Sequence, residues 1–126
     1  MSFDWNNYFS LAEFLRDITD PPFEKEAAQR SAISRAYYAS FHFACSYAES
    51  LLGFVPTKTG ADHIGLIRHL QSKGKSKLAN QLHDLLEFRH KSDYDAEYSK
   101  ISITLGTAIT RSRNAINEAN HLSTSP

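Results

Sequence analysis

The sequence predicts an all-α protein, an antiparallel up-and-down bundle of four to five helices. Apolar residues recur at three- and four-residue steps in five segments, which is the spacing of one face of a helix. The 5 glycines and 4 prolines fall almost entirely between those segments, where they would end helices rather than interrupt them. A chain of 126 residues suits one domain, so we expect a single helical domain over residues 1–126.

A first helix is predicted to begin at a capping box and to end near Thr19. Ser10 and Glu13 have the spacing at which a hydroxyl and a carboxylate each accept a hydrogen bond from a free backbone amide. A second helix is expected to begin at Asp20, whose carboxylate suits an N-cap. The two prolines that follow Asp20 would lie in the first turn of this helix. Proline lacks an amide hydrogen, but amides in the first turn form no intrahelical hydrogen bond, so nothing is lost there.

The second helix is predicted to be the longest. Neither proline nor glycine occurs from Phe23 to Leu52, and Gly53 offers the left-handed residue that often ends a helix. At 1.5 Å per residue, roughly 30 residues reach about 45 Å, which exceeds the diameter of a small domain. We therefore expect this helix to be the spine of the bundle.

The rest of the chain predicts three further helices. Their apolar positions are, in order, Ile64, Ile67 and Leu70; Leu78, Leu82, Leu85 and Leu86; and Ile101, Leu105, Ala108, Ile109, Ile116 and Ala119. Gly74 is expected to end the third helix, and residues 93–95 to separate the fourth from the fifth. Beyond His121 the periodicity is lost, so we expect the C-terminal end to fray.

Composition excludes several classes of protein. Lysine and arginine total 14, and so do aspartate and glutamate, so the formal charge is zero and no global field attracts nucleic acid or an anionic membrane. The longest apolar runs fall far short of the roughly 20 residues of a membrane span. A single cysteine, Cys45, cannot form an internal disulfide and is expected to be a buried small hydrophobe. These features predict a soluble, cytoplasmic protein without membrane partners.

The usual cofactor and metal motifs do not occur in the sequence. It contains no dinucleotide-binding glycine motif, no phosphate loop, no His-Glu-x-x-His and no Cys-x-x-Cys. No two of the six histidines lie three or four residues apart, so the sequence has no local pair of histidine ligands for zinc. We therefore expect neither a metal ion nor a cofactor.

A polar stripe borders the apolar face of the second helix. Arg35, Tyr38 and His42 lie at positions i, i+3 and i+7, so they share one face of a helix. This stripe is a candidate binding surface. The alternative is that Arg35 is a solvated or carboxylate-paired side chain and that the tyrosines are ordinary packing residues.

A second cluster of polar residues ends the fourth helix. If that helix continues, Arg89 with Asp93 and His90 with Tyr94 are both i,i+4 pairs, and four hydrogen-bonding groups lie on adjacent faces. They can form one site. The alternative is plain helix-end chemistry, because a surface ion pair contributes only about 0–1 kcal/mol and a histidine near a helix C-terminus complements the dipole.

A local basic strip lies between these two clusters in the sequence. No acidic residue occurs between His63 and His83, whereas four cations do: Arg68, Lys73, Lys75 and Lys77. The strip lacks aromatic residues that could stack on bases, so a solvated turn between helices is the alternative to a binding surface.

Two segments together resemble the motifs of the HEPN family of small helical-bundle proteins. They are Ser-Arg-Ala-Tyr-Tyr-Ala-Ser-Phe-His at residues 34–42 and Phe-Arg-His-Lys-Ser-Asp-Tyr-Asp at residues 88–95. The resemblance spans residues 9–120. It implies a helical bundle that usually forms a homodimer and often has a minimal nucleotidyltransferase as its partner. Many relatives act in toxin–antitoxin or antiphage defence systems.

The resemblance also implies catalytic residues. The family motif is arginine, a polar residue, three variable residues and histidine; Arg89 and His90 match its first two places, and Tyr94 replaces the histidine. In HEPN ribonucleases this motif implies RNA cleavage without a metal ion, in which histidine moves a proton and arginine stabilises charge at phosphorus. A phenol has a pKa of about 10 and an imidazole about 6.5, so Tyr94 is the weaker proton acceptor at neutral pH.

Three hypotheses follow. The first is an HEPN-like homodimer that binds a partner protein or RNA through a surface comprising Arg35, Tyr38, Arg89, His90, Asp93 and Tyr94. The second is a metal-independent endoribonuclease whose catalytic residues are Arg89, His90 and Tyr94. The third is a purely structural helical dimer.

Overall fold

The computed structural model describes residues 3–124, which form five α-helices. They are α1 (Asn6–Asp17), α2 (Lys25–Leu51), α3 (Ala61–Ser72), α4 (Ser76–Tyr94) and α5 (Ile101–Thr124). The predicted all-α helical bundle is confirmed. Within the described residues, no helix is both long enough and apolar enough to cross a bilayer.

The long helix α2 is the spine of the bundle, as its length predicted. It contacts each of the other four helices, and its contacts with α5, α1 and α4 are the most extensive. Its buried positions are rich in small residues, among them Ala32, Ala36, Ala39, Ala44 and Ala48, each fully buried. Alanine at these positions lets neighbouring helices approach closely, because little side-chain volume separates the backbones.

A buried pair of hydroxyl groups joins α2 to α5. The Oγ atoms of Ser40 and Ser112 lie 2.6 Å apart, and both lie 2.9 Å from the carbonyl oxygen of Ala36. Both serines are almost completely buried. Because buried polar groups are unfavourable without partners, this small network fixes how α5 sits along α2.

The first helix begins earlier than predicted, so the capping box at Ser10 and Glu13 is wrong. Helix α1 begins at Asn6, whose backbone amide donates to the Asp4 carboxylate at 3.0 Å. Edge-to-face contacts of Trp5 with the rings of Phe3 and Tyr8 hold this earlier start in place. The aromatic packing outweighs the local capping signal.

The predicted start of the second helix at Asp20 is also wrong. Asp20 is left-handed, with φ of 54°, and helix α2 begins at Lys25. Pro22 disfavours the helical conformation of the residue before it, so the two prolines lie in the connector rather than in the first turn. Glu24 is the N-cap instead, and its carbonyl accepts from the amide of Ala27 at 3.0 Å.

The inward face of α3 differs from the prediction by one position. Ile67 and Leu70 are buried as expected, but Ile64 is 43% exposed and Leu66 is fully buried. A face that contains positions 66, 67 and 70 also contains position 63. The half-buried His63 therefore lies on the inner side of α3.

The C-terminal ends predicted for the later helices are largely confirmed. Gly53 and Gly74 have φ of 70° and 76° directly after α2 and α3, where a left-handed residue ends a helix. Helix α4 ends at Tyr94, inside the predicted break. The predicted fraying beyond His121 is wrong for residues 122–124, because α5 continues to Thr124 and the hydroxyls of its last two residues donate back to helical carbonyls. Residues 125–126 of that prediction lie outside the described residues.

Candidate anion-binding site

Helices α2 and α4 lie side by side and bring the two predicted polar clusters together. The ring of Tyr38, on α2, is the shared element. The guanidinium carbon of Arg35 lies 5.5 Å from its centroid, and that of Arg89 lies 5.4 Å from the same centroid. Both distances fall within the range of a cation–π interaction. One aromatic ring thus links the predicted stripe of α2 to the cluster at the end of α4.

Arg89 is the buried centre of this site. The residue is only 9% exposed, which is rare for an arginine. Its Nε donates to the Asp93 carboxylate at 3.2 Å, so the predicted i,i+4 pair forms. Among residues 3–124, no hydrogen-bond acceptor meets the two terminal nitrogens of Arg89. The guanidinium therefore keeps its outer edge available for another anion.

Three tyrosine rings surround the Arg89 guanidinium. Its carbon lies 5.9 Å from the centroid of Tyr37, 5.4 Å from that of Tyr38 and 5.9 Å from that of Tyr94. The first ring is buried, the second is half-buried and the third is 71% exposed. The three rings thus differ in depth from the core to the surface, and a flat ligand group can stack on the exposed Tyr94 ring.

His90 and Tyr94 form the exposed rim of the site. Their ring centroids are 5.9 Å apart, as the i,i+4 spacing predicts. Both side chains are solvent-exposed at the end of α4. They therefore border the Arg89 site without filling it.

His63 is a site residue that the sequence analysis missed. Its Nδ1 lies 2.5 Å from the hydroxyl of Tyr37, beside Arg89. Burial, together with the Arg89 charge, lowers the pKa of His63 below its ordinary value. Burial raises the pKa of Tyr37 far above its usual range. The phenol therefore stays protonated and shares a hydrogen bond with Nδ1 of a neutral imidazole, whose tautomer decides which of the two groups donates.

Arg30 holds the end of α4 in place, and the sequence analysis missed it as well. Its guanidinium donates to the carbonyl oxygens of Ser92 at 2.9 Å and Asp95 at 2.5 Å, and its Nε donates to Glu26 at 3.1 Å. Carbonyls at a helix C-terminus lack intrahelical donors, so a cation there satisfies them. Arg30 thereby positions the turn that carries Asp93 and the Tyr94 ring.

Arg35 lies at the outer side of Tyr38. Its guanidinium carbon is 4.9 Å from the ring centroid of Tyr8, on α1. No carboxylate of the described chain pairs with Arg35, so the carboxylate-paired alternative is wrong. It adds a second fixed positive charge to the site.

Positive charge exceeds negative charge around Tyr38. Arg35 and Arg89 are always charged, and Asp93 pairs with Arg89 alone. A guanidinium with free terminal nitrogens can bind a phosphate or carboxylate through two parallel hydrogen bonds. The arrangement is therefore suited to binding an anion.

Comparison with protein-family models, curated proteins and solved structures finds no match. The HEPN resemblance thus rests on the two motifs alone, and the function is argued from the geometry of the site.

The structure also places the other residues considered above. In residues 3–124, no group of three histidine, cysteine or carboxylate side chains is arranged to hold a metal ion. Cys45 is buried, as predicted, and burial beside Glu49 raises the pKa of its thiol to about 12. Of the basic strip, Lys77 pairs with Glu118 at 3.1 Å and Arg68 is exposed on α3.

Proposed function

We propose that this chain is an HEPN-like helical module that binds single-stranded RNA and that Arg89 holds a backbone phosphate. The observation that carries the proposal is the buried Arg89 guanidinium with its two terminal nitrogens free. The single contact with Asp93 is at Nε, and the two terminal nitrogens are not among the buried atoms that lack a partner, so they reach solvent and are free to bind a ligand. A phosphodiester supplies the missing acceptors in the required planar geometry.

The surrounding rings favour RNA over a simple inorganic anion. Tyr94 is largely exposed, so it can present a ring face to an unstacked base. Stacking of a base on an aromatic side chain contributes about 1–3 kcal/mol and needs little sequence specificity. Single-stranded RNA offers such splayed bases, whereas the bases of a duplex are already stacked.

The balanced charge of the chain predicts a small ionic footprint. With only Arg35 and Arg89 at the site, one or two phosphates would be neutralised on binding. Each neutralised phosphate of a single strand contributes about −0.7 to the slope of log K against log salt. We expect a slope between about −0.7 and −1.4.

The test is the binding of a fluorescein-labelled, mixed-sequence RNA 12-mer, measured by fluorescence anisotropy. Replacing Arg89 by Gln should weaken binding at least about tenfold, because a hydrogen bond to a charged group contributes about 1.5–3 kcal/mol. The matched control is Arg68→Gln, an exposed arginine of the basic strip. It should bind like the wild type.

Two results would contradict the proposal. Equal affinities of the wild type and the Arg89→Gln variant would exclude Arg89 as the phosphate site. A larger loss in Arg68→Gln would move the RNA site to the basic strip. Circular dichroism of each variant establishes that the helices are intact before affinities are compared.

A second function, metal-independent RNA cleavage, is favoured by the position of His63. Tyr94 replaces the motif histidine, but His63 brings a neutral imidazole to Arg89 from α3. In the tautomer in which Nδ1–H donates to the Tyr37 oxygen, Nε2 of His63 is free to accept a proton from a ribose 2′-hydroxyl at neutral pH, which a phenol does poorly. Arg89 would then stabilise the charge that develops on the phosphorane.

Incubating the RNA with the protein in EDTA tests this second function. Cleavage that is lost in both Arg89→Gln and His63→Gln would support it, and cleavage that survives in His63→Gln would exclude that imidazole. Loss in His90→Gln alone would instead support the motif residues named in the sequence. If the wild type leaves the RNA intact, cleavage is excluded and RNA binding is the proposed function that stands.

The remaining partners are predictions of the HEPN resemblance. They are a homodimer, a nucleotidyltransferase partner and a role in a toxin–antitoxin or defence system. If such a nucleotidyltransferase is encoded beside this chain, co-purification of the two would support the pairing. A purely structural dimer would show no RNA binding, and Arg89→Gln would change only its stability.

A further inference from the structure

A large cavity lies beside the Arg89 site. Its volume is about 680 Å³, within the roughly 300–1,000 Å³ typical of small-molecule sites. The N-terminal segment, α2, the connector before α3 and the first turn of α3 form its walls. Six of the side chains that line this ring-lined cavity carry flat rings: Phe3, Trp5, Tyr38, Phe41, His42 and His63.

The walls of the cavity are held rigidly before any ligand binds. The rings of Trp5 and His42 are stacked, with centroids 3.4 Å apart and planes within 7° of parallel. On the opposite wall, the buried Asp62 carboxylate accepts from the amides of Thr57 at 2.8 Å and Lys58 at 2.9 Å. These bonds fix the connector, so binding would require little reordering of the chain.

Polar groups at the cavity wall complement the rings. The carboxylate of Glu49 supplies hydrogen-bond acceptors, and the ammonium group of Lys58 supplies donors. Both side chains are solvent-exposed, and Lys58 forms no ion pair with the described chain. A flat heterocycle with donors and acceptors along one edge fits such a lining.

The cavity and the Arg89 site share two side chains. Tyr38 and His63 both line the cavity. The Tyr38 ring also lies 5.4 Å from the Arg89 guanidinium, and His63 contacts Tyr37 beside it. The Tyr38 ring is therefore in contact with both the arginine and the cavity. A phosphate on Arg89 and a base in the cavity can belong to one nucleotide.

We propose that the ring-lined cavity binds the base of the nucleotide whose phosphate is held by Arg89. This inference rests on the proposed RNA-binding function and adds a base subsite to it. Guanine presents two donors and an acceptor on one edge, which matches a carboxylate and an ammonium group. Guanosine 5′-monophosphate is therefore the probe.

The chain contains its own reporter for this subsite. Trp5 is the single tryptophan and lines the cavity, so its fluorescence responds when a base enters. Guanosine 5′-monophosphate should change that fluorescence saturably. Ribose 5-phosphate, which has the phosphate without the base, should leave it unchanged.

Two matched substitutions on α2 locate the effect. Ser46 is exposed and lines the cavity, so Ser46→Phe should obstruct it and weaken the response to the nucleotide at least tenfold. Ser50 is exposed one turn further along α2, outside the cavity lining. Ser50→Phe should respond like the wild type. Both positions face solvent, so neither change disturbs the core.

The outcomes separate this inference from the RNA-binding proposal. If Arg89→Gln weakens RNA binding but the nucleotide leaves Trp5 unchanged, or Ser46→Phe responds like the wild type, the base subsite is wrong and the RNA site stands. If the nucleotide changes Trp5 fluorescence equally in the wild type and Arg89→Gln, the link between cavity and arginine is wrong. Loss of the response in both Arg89→Gln and Ser46→Phe supports one nucleotide bound across both.

Discussion

The hydroxyl of Tyr37 lies 2.5 Å from Nδ1 of His63, and this contact joins α2 to α3 beside the buried Arg89. It fixes the orientation of an imidazole that faces both the anion site and the ring-lined cavity.

Replacing Tyr37 by Phe removes the phenol hydroxyl and leaves Nδ1 of His63 without its partner. We expect the free energy of unfolding to fall by about 1–3 kcal/mol, the usual loss when a buried polar group is left unpaired. Urea denaturation followed by circular dichroism measures it. Tyr38→Phe is the control, because no hydrogen bond to the Tyr38 hydroxyl forms in residues 3–124. Equal losses in both variants would show that the Tyr37 contact is not what stabilises this junction.

Stability should fall on mild acidification. Burial lowers the pKa of His42, and the charges of His63 and Lys58 lower it further. Burial also lowers the pKa of His63, together with the charge of Arg89. The unfolded chain binds a proton at each near pH 6.5, while the folded chain resists it. The unfolded state therefore binds more protons below that pH, and stability is lost as the pH falls through about 6.5.

Thermal denaturation between about pH 7.5 and pH 5 measures this loss, above the range in which most carboxylates titrate. His42→Phe keeps a ring against Trp5 and removes one titrating group, so its Tm should fall less than that of the wild type. An identical fall would show that His42 does not contribute.

The end of α4 should depend on Arg30. Replacing it by Met removes the donor to the carbonyls of Ser92 and Asp95 while keeping a long apolar stem. We expect a loss of about 2 kcal/mol in unfolding free energy, typical of hydrogen bonds to a charged group. Faster amide hydrogen exchange should appear in residues 91–96. Lys25→Met, at an exposed cation of the same helix, should change neither measurement.

Little of the site could be predicted beyond single helices. Arg35 with Tyr38, and Arg89 with Asp93, lie one turn apart within a helix, so helical periodicity alone predicts each neighbouring pair. His63 and Arg30 act across helices, and their roles depend on which face of each helix turns inward. On α3 that face includes Leu66 rather than Ile64, a difference of packing that the local apolar pattern does not determine.

The helix boundaries, like the site, could be predicted only where the local sequence pattern determines them. Leu82, Leu85 and Leu86 predicted α4 correctly, because a strong apolar stripe allows one way to bury it. The predicted starts of α1 and α2 were wrong. The capping signal of α1 is outweighed by tertiary contacts of Trp5, and that of α2 by the conformational restriction that Pro22 imposes. Local capping contributes about 1 kcal/mol, less than the packing of an aromatic cluster.

For the predicted homodimer, the outer side of α1 is a candidate interface. Leu11 and Phe14 on α1 and Phe23 in the following connector are exposed, Phe14 to 61%. Exposed apolar clusters of this kind often mark protein interfaces. Sedimentation velocity should give twice the 14.2 kDa chain mass for the wild type and a single chain for Phe14→Glu. A monomeric wild type would contradict the predicted dimer, and a dimeric Phe14→Glu would place its interface elsewhere.

RNA binding at Arg89 is tested most directly by a crystal structure with a short single-stranded RNA bound. We predict a phosphate oxygen within about 2.7–2.9 Å of the terminal nitrogens of Arg89, the distance of a charge-assisted hydrogen bond. A base should lie against the ring of Tyr94 or inside the ring-lined cavity. If the RNA is bound elsewhere and Arg89 still contacts only Asp93, Arg89 is not the phosphate site.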